Sequence, residues 1–170
     1  MNRLKEKYQK EVAPKLREKL GLKNVMAIPK MEKVTINAGL SVNKDEKLKD
    51  TVPQTLQRIT GQKPVITKAR KSIASFKLRE GEVIGYQVTL RGGRMYDFLD
   101  KLIHVALPRT RDFRGINRTA IDEMGNITIG IKEHTIFPEA SDEELRDVFG
   151  FSVTITTSAK TKEEALSLLE

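Results

Sequence analysis

Glu82-Val83-Ile84-Gly85-Tyr86-Gln87-Val88-Thr89-Leu90-Arg91 is the stretch whose reading decides the fold. Ile84, Tyr86, Val88 and Leu90 fall on one side of an extended chain, and Gly85, Gln87, Thr89 and Arg91 on the other. Period-two alternation of this kind marks a strand with one face in the core and the other toward solvent. A strand covered on both faces in a parallel sheet would read apolar throughout, so the pattern predicts a mainly antiparallel sheet. Directly downstream, Met95, Phe98, Leu99, Leu102, Ile103 and Ala106 recur at i, i+3, i+4 and i+7, which predicts a helix stopped by Pro108.

The same two periods recur on either side. Val34, Ile36 and Ala38 oppose Lys33, Thr35 and Asn37 in a second strand. Pro64 to Ala69, the Ile127, Ile129 and Ile131 alternation, and Phe151, Val153 and Ile155 predict three more. Leu4, Tyr8 and Val12 predict an opening helix that Pro14 kinks or ends, with Leu16 and Leu20 continuing its stripe to Gly21. Leu48, Val52, Leu56 and Ile59 predict a helix ending at Gly61, although Pro53 falls inside it. Ser141-Asp142-Glu143-Glu144 and Thr161-Lys162-Glu163-Glu164 read as capping boxes opening two short helices. The expected fold class is α+β: a mainly antiparallel sheet with helices packed on one face, an exposed polar face, and a protruding basic loop. Residues 1–170 are expected to form one domain, with halves of about 1–80 and 81–170 sharing one core.

Composition narrows the function. The 170 residues hold 31 Lys+Arg against 23 Asp+Glu, a net charge of +8, and 38% are hydrophobic, enough for a real core. The charge is unevenly placed. Residues 1–118 carry 27 basic and 12 acidic side chains, a balance of +15, and residues 119–170 carry 4 and 11, a balance of −7. Thr51 to Arg79 holds Arg58, Lys63, Lys68, Arg70, Lys71, Lys77 and Arg79 with no acidic residue at all. So long an uncompensated run repels itself and fits a polyanionic partner, most simply phosphate backbone. A membrane surface needs basic residues opposite a bulky apolar face on one helix, and Gly61 and Pro64 break this stretch.

Enzyme signatures are missing. Gly61-Gln62-Lys63-Pro64 lacks the glycine spacing and hydroxyl of a phosphate loop, and neither a G-x-S-x-G elbow nor an H-E-x-x-H pair occurs. With no cysteine and only His104 and His134, neither thiol chemistry nor most zinc sites can be built. No cofactor or metal is expected. No run approaches the 18 apolar residues of a membrane span, and the start at Met1 shows no apolar signal-peptide stretch.

Binding candidates remain. Thr35, Asn37, Gln87, Thr89 and Arg91 lie on the polar side of their strands, where amide, hydroxyl and guanidinium groups suit base edges, 2′-hydroxyls and phosphates. Arg91-Gly92-Gly93-Arg94 places two arginines around bare backbone at a strand-to-helix turn, where amides approach a phosphate closely. Ala69-Arg70-Lys71-Ser72-Ile73-Ala74-Ser75-Phe76-Lys77-Leu78-Arg79-Glu80-Gly81 exceeds a tight hairpin turn and mixes positive charge with small residues. Its Phe76 either stacks on a base or ribose or pins the loop to the core. Pro108-Arg109-Thr110-Arg111-Asp112-Phe113-Arg114-Gly115-Ile116-Asn117-Arg118 sets four arginines around one phenylalanine and suits a protein or RNA contact.

Several blocks occurring in order resemble one family over essentially the whole chain. They are Gly61-Gln62-Lys63-Pro64, Ala69-Arg70-Lys71-Ser72-Ile73, Phe76 to Gly81, Arg94-Met95-Tyr96-Asp97-Phe98-Leu99, Leu107-Pro108-Arg109 through Gly115, Gly130-Ile131-Lys132-Glu133 and Ile136-Phe137-Pro138-Glu139. The set resembles bacterial large-subunit ribosomal protein number five, the 5S-rRNA carrier of the central protuberance. The resemblance implies a non-catalytic, cytoplasmic ribosomal component that binds 5S rRNA, with 23S rRNA and other 5S-associated ribosomal proteins nearby and no membrane. Asn37, Gln62, Thr89 and Arg91 match family rRNA contacts by position. Lys63, Gln87, Gly92 and Arg94 join them as candidates from their own chemistry. The loop from Arg70 through Arg79 maps onto the family segment that reaches the elbow of P-site tRNA. Arg111, Asp112, Phe113, Arg114 and Arg118, with the acidic C-terminal third, are the expected bridge to a small-subunit head protein. Ile121-Asp122-Glu123-Met124-Gly125-Asn126 departs from the basic, glycine-rich turn usual there.

Overall fold

The alternating stretch forms strand β3, Val83–Leu90, with Tyr86, Val88 and Leu90 buried and Gln87 and Thr89 half-buried. A computed structural model describes residues 2–40, 46–111, 113–140 and 148–169. The other strands are β1 (Met31–Gly39), β2 (Val65–Lys68), β4 (Ile127–Ile131) and β5 (Phe151–Thr157). They form one sheet in the order β2-β3-β1-β5-β4.

Every neighbouring pair runs antiparallel, because residue numbers fall along one strand as they rise along the next. Val65 lies opposite Gln87, and Thr67 opposite Gly85. The Leu40 amide donates to the Ile84 carbonyl, while the Gly85 Cα faces the Ala38 carbonyl. The Ser158 amide donates to Lys30, and the Ser152 hydroxyl to Asn37. The Thr128 and Thr154 hydroxyls meet at 3.1 Å, and the His134 amide donates to Phe149. Val34, Ile36 and Ala38 of β1 are fully buried, as are Val153 and, nearly so, Phe151 and Ile155 of β5. The alternation therefore separates a core face from a polar face, as the sequence predicts.

Two compact units can be distinguished, with boundaries inside β1, β3, β4 and β5. One comprises Thr35–Thr89 and Gly130–Val153. Its helix α3, Glu46–Thr60, buries Leu48, Val52, Leu56 and Ile59. Pro53 stands in the middle of this helix without breaking it. A proline has no amide hydrogen, so the carbonyl four residues earlier, that of Lys49, has no helical donor. The Tyr86 hydroxyl supplies one, donating to the Lys49 carbonyl oxygen at 2.7 Å. The side chain that places β3's inner face in the core thus also repairs the helix lying on that face. Elsewhere in this unit, His134 is fully buried, its Nδ1 accepts from the Phe149 amide at 3.2 Å, and its ring stacks on Phe149 with centroids 4.2 Å apart. Gly85 permits a close approach of strands, since a Cβ there would come within 2.4 Å of the Ala38 carbonyl oxygen. The short helix expected from Ser141 lies outside the described residues, and Val148 to Gly150 form no helix.

The other unit comprises Met1–Val34, Leu90–Ile129 and Thr154–Glu170. The opening helix is not ended by Pro14. It runs as α1 (Arg3–Lys7), a π turn (Tyr8–Val12) and α2 (Ala13–Lys19). Helix α4, Gly92–Lys101, likewise passes into a π turn at Leu102–Ala106 before a 3-10 turn at Leu107–Arg109 holds Pro108. In both places the wider turn precedes a proline by two residues. Its i→i+5 bonds (Ala13 amide to Tyr8, Leu107 amide to Leu102) remove the i→i+4 pattern that a proline ring obstructs. The N-terminal segment is held to α4 by Asn2 donating to Asp97 and by Arg3 to Asp100 at 3.4 Å, and the Tyr8 hydroxyl donates to the Pro29 carbonyl. Helix α5, Lys162–Leu169, opens with half of the expected box: the Glu164 amide donates to the Thr161 hydroxyl, while the Glu164 carboxylate accepts from the Lys160 amide, one residue before the cap.

Tyr86→Phe removes the donor and leaves the Lys49 carbonyl unpaired. The expected loss is about 1–3 kcal/mol in urea unfolding, and it should shrink in a Pro53→Ala background, where the helix regains its own amide. The Tyr86 phenol is also raised above its ordinary value, first by burial and then by the nearby Asp50 charge, and burial raises Tyr8 and Tyr96. Because the folded values lie above the unfolded ones, their contribution is complete below about pH 10 and is lost as the pH rises through the folded values. Unfolding midpoints measured between about pH 8 and 11 should fall at the alkaline end, and less steeply in Tyr86→Phe.

Candidate nucleic-acid interface

In the unit built on Thr35–Thr89, the non-core side of the strands presents neutral polar groups. Asn37 is exposed, and Thr35, Gln87 and Thr89 are half-buried. Gln62 joins them from the turn after α3. The Thr60 hydroxyl, donating to Leu56 at 2.6 Å, caps that turn and accepts from the Gln62 amide at 3.3 Å. The Gln62 side chain then reaches across, its Nε2 donating to the Thr89 carbonyl at 3.2 Å. It thereby continues the hydrogen-bonding edge beyond Val65, the first β2 residue paired with β3. Gln62 is thus held in place by its nitrogen, and its Oε1 is the group left to accept from a ligand. Lys63, next in sequence, is exposed.

The connection from Lys68 to Glu82 is more regular than the sequence implies, because the β2-β3 pairing continues outward along it after a one-residue register shift between Thr67 and Lys68. Ala69 donates to Glu82 and accepts from Gly81, and the Glu80 amide donates to the Ser72 hydroxyl. Ile73 and Leu78 exchange both backbone bonds, at 3.0 and 3.2 Å. Ala74–Phe76 then turn in a single 3-10 turn closed by Lys77 in the left-handed region at φ 52°. Every residue from Arg70 to Arg79 is exposed except Leu78, which is half-buried. Phe76 is 68% exposed and therefore does not pin the loop to the core. Among the described residues, no ion pair engages the side chains of Lys63, Lys68, Arg70, Lys71, Lys77 or Arg79.

In the other unit, Arg91 forms the N-cap of α4 with no side-chain cap of its own, and Gly92 follows at φ +62°, a conformation glycine adopts without strain. Arg91, Gly92 and Arg94 are all exposed, beside the free amides of the first helical turn. Arg111, Phe113 and Arg114 are exposed on a segment without regular structure, Arg118 opens a 3-10 turn, and Asp112 lies outside the described residues. Phe113 and Ile116 line an apolar cavity of about 440 Å³ with Leu102, Leu107, Ile121 and Leu166. Phe113 is thus neither buried nor free: 45% exposed, with one side against the cavity.

Two family models match, one described as ribosomal protein L5 over residues 24–79 and the other as the C-terminus of that ribosomal protein family over residues 83–170. The large ribosomal subunit protein uL5 of Natranaerobius thermophilus is 52% identical over 171 residues, covering all of this chain and 96% of its own. Those of Dichelobacter nodosus and Halothermothrix orenii are 54% and 51% identical with the same coverage. The chain belongs to the ribosomal protein L5 family. Members are structural ribosomal proteins, not enzymes. Membership of that family accounts for a polar face and for cations without ion pairs among the described residues.

Sequence reading missed part of this surface. Ser152 of β5 is half-buried and donates to the Asn37 carbonyl in one unit, and Thr128 meets Thr154 in the other. The signal was present, since these hydroxyls alternate with the apolar residues that identified β4 and β5. If the L5-family chain grips RNA through two kinds of contact, variants will separate them. Lys63→Ala, Arg91→Ala and Arg94→Ala should each weaken rRNA binding and flatten its salt dependence by about one counterion. Asn37→Ala and Gln87→Ala should weaken binding by roughly 2- to 10-fold with the salt slope unchanged. Filter binding at several salt concentrations reads both.

Proposed function

We propose that this protein, a structural constituent of the large ribosomal subunit associated with rRNA, binds 5S rRNA and helps attach it in the central protuberance. The observation that carries the reading is the solvent-facing set of Asn37, Gln62, Gln87 and Thr89, with Lys63, Arg91 and Arg94 exposed and without ion-pair partners among the described residues. Neutral amides and hydroxyls read base edges and 2′-hydroxyls, while the cations neutralise phosphates. A division of labour of this kind fits a folded RNA better than an acidic protein, whose carboxylates only accept and so could not donate to amide oxygens such as Gln62 Oε1.

The ribbon from Arg70 through Arg79 contacts P-site tRNA in this reading. Its support is the absence of any acidic residue from Thr51 to Arg79 and the exposure of nearly every side chain between Arg70 and Arg79. Arg111, Phe113, Arg114 and Arg118 form the contact to a small-subunit head protein. Its support is the pairing of exposed arginines with the half-covered Phe113 and Ile116 at an apolar cavity.

The isolated full chain should bind 5S rRNA with a slope of log K against log salt of about −2 to −2.7, the value for the three phosphates that Lys63, Arg91 and Arg94 neutralise at roughly 0.7–0.9 each. A flat slope in filter binding would remove the electrostatic account. Replacing Arg70, Lys71, Lys77 and Arg79 together by Ala should leave 5S rRNA affinity within about twofold, yet weaken P-site tRNA retention on reconstituted ribosomes roughly tenfold or more. Loss of 5S binding with normal tRNA retention would reverse the assignment of the two surfaces.

A further inference from the structure

The tip of the basic ribbon contains a feature that electrostatics alone does not explain. Phe76 is among the most exposed large apolar side chains of the described residues, at 68%, while its backbone is firmly set. The Phe76 amide donates to Ile73 at 3.3 Å and the Lys77 amide to Ala74 at 3.0 Å, inside the two bonds that join Ile73 and Leu78. Lys77 adopts φ 52°, a conformation that costs a non-glycine residue free energy and persists only where its surroundings impose it. Ala74 and Ser75, the ring's neighbours in the turn, are too small to cover it. The ring is therefore presented outward on a preorganised turn, so docking it sacrifices little backbone entropy.

From this geometry we infer that Phe76 stacks on an exposed nucleobase of the RNA that the ribbon meets. The inference rests on the tRNA reading above and names the chemistry of that contact: one base face on the ring, with the adjoining phosphates on Lys77 and on Arg70, Lys71 or Arg79. Base faces accept an aromatic ring whatever their identity, and cations beside the ring attract the phosphates on either side of the base. An apolar pocket on a protein would accept the same ring. The cations flanking it, with no acidic residue between Thr51 and Arg79, favour a polyanion instead.

The chain contains no tryptophan, so Phe76→Trp introduces a single indole reporter at the tip. Titrating the full-length Phe76→Trp chain with a tRNA transcript should quench its emission, whereas a fully paired RNA duplex should not. Phe76→Trp should bind tRNA within about twofold of the parent, and Phe76→Ala should bind roughly 5- to 100-fold more weakly with an unchanged salt slope. Phe76→Leu distinguishes stacking from simple apolar insertion: it should be as weak as Phe76→Ala, and recovery of affinity by leucine overturns the inference. So does equal binding by Phe76→Ala and parent while the four-cation variant is weak, an outcome that leaves the tRNA reading standing. If the four-cation variant or the parent chain shows that tRNA is not bound through this ribbon, the parent reading falls, and this inference with it. Because residue 76 is solvent-exposed, all variants should match the parent in thermal unfolding, which guards against a folding artefact.

Discussion

The hydrogen-bonded register that holds β3 between β2 and β1 fixes which groups reach the core and which reach the polar face. Pairing Val65 with Gln87 and Thr67 with Gly85 puts Tyr86, Val88 and Leu90 on one face and Gln87 and Thr89 on the other. A slip of one residue would exchange the two sets, burying amides without partners and exposing the core. The register also determines which side chain meets α3. Only with Tyr86 facing inward does a hydroxyl reach the Lys49 carbonyl that Pro53 leaves without a donor. Between Thr67 and Lys68 the register shifts by one residue, and in that shifted register the pairing runs on to the Ile73–Leu78 bridge and so aims the tip turn.

Charge acts on top of this geometry. The strands place neutral polar groups toward solvent, and the segments that leave them place the cations: Lys63 after α3, Arg70 to Arg79 on the ribbon, and Arg91 and Arg94 at the start of α4. Cations on turns and helix starts keep their ionic heads hydrated until a polyanion arrives, so the fold loses little stability in carrying them. The acidic residues lie elsewhere, and several of them have local structural roles. Asp122 accepts from the Asn126 amide at 2.6 Å, which holds its carboxyl below the usual range, and Glu164 completes the cap of α5. The balance of −7 over residues 119–170 thus comes in part from turn and cap chemistry.

The elements that sequence reading located well are those set by local periodicity. The four longer strands and α4 follow the spacing of their apolar residues, because burying one face is a nearest-neighbour matter of every second or every third and fourth residue. Membership of the ribosomal protein L5 family was legible as well, from blocks spread along the chain. The two prolines differ. The helical run after β3 does end one residue past Pro108, at Arg109, whereas the opening run continues through Pro14 to Lys19 behind a π turn, and a change of turn width leaves no mark on the apolar stripe. Phe76 was undecided between two roles because exposure depends on what lies nearby in space. The hydroxyls of β4 and β5 find their partners only across strands, Thr128 with Thr154 and Ser152 with the Asn37 carbonyl, so their pairing leaves no mark on the local alternation.

By itself, the sequence determined the antiparallel α+β class, the split between a core face and a polar face, and the segregation of positive charge into the first 118 residues. These follow from composition and from periods of about 2 and 3.6, which depend only on neighbours along the chain. The tertiary structure alone decided that Tyr86 in β3 completes a helix interrupted far upstream by Pro53, that Gln62 is tied by its nitrogen to Thr89, and that Phe76 projects from a closed turn. Each depends on a hydrogen bond, or the lack of a covering side chain, between groups distant in sequence or set by pairing across strands. Such partners are chosen by packing, which no local pattern encodes.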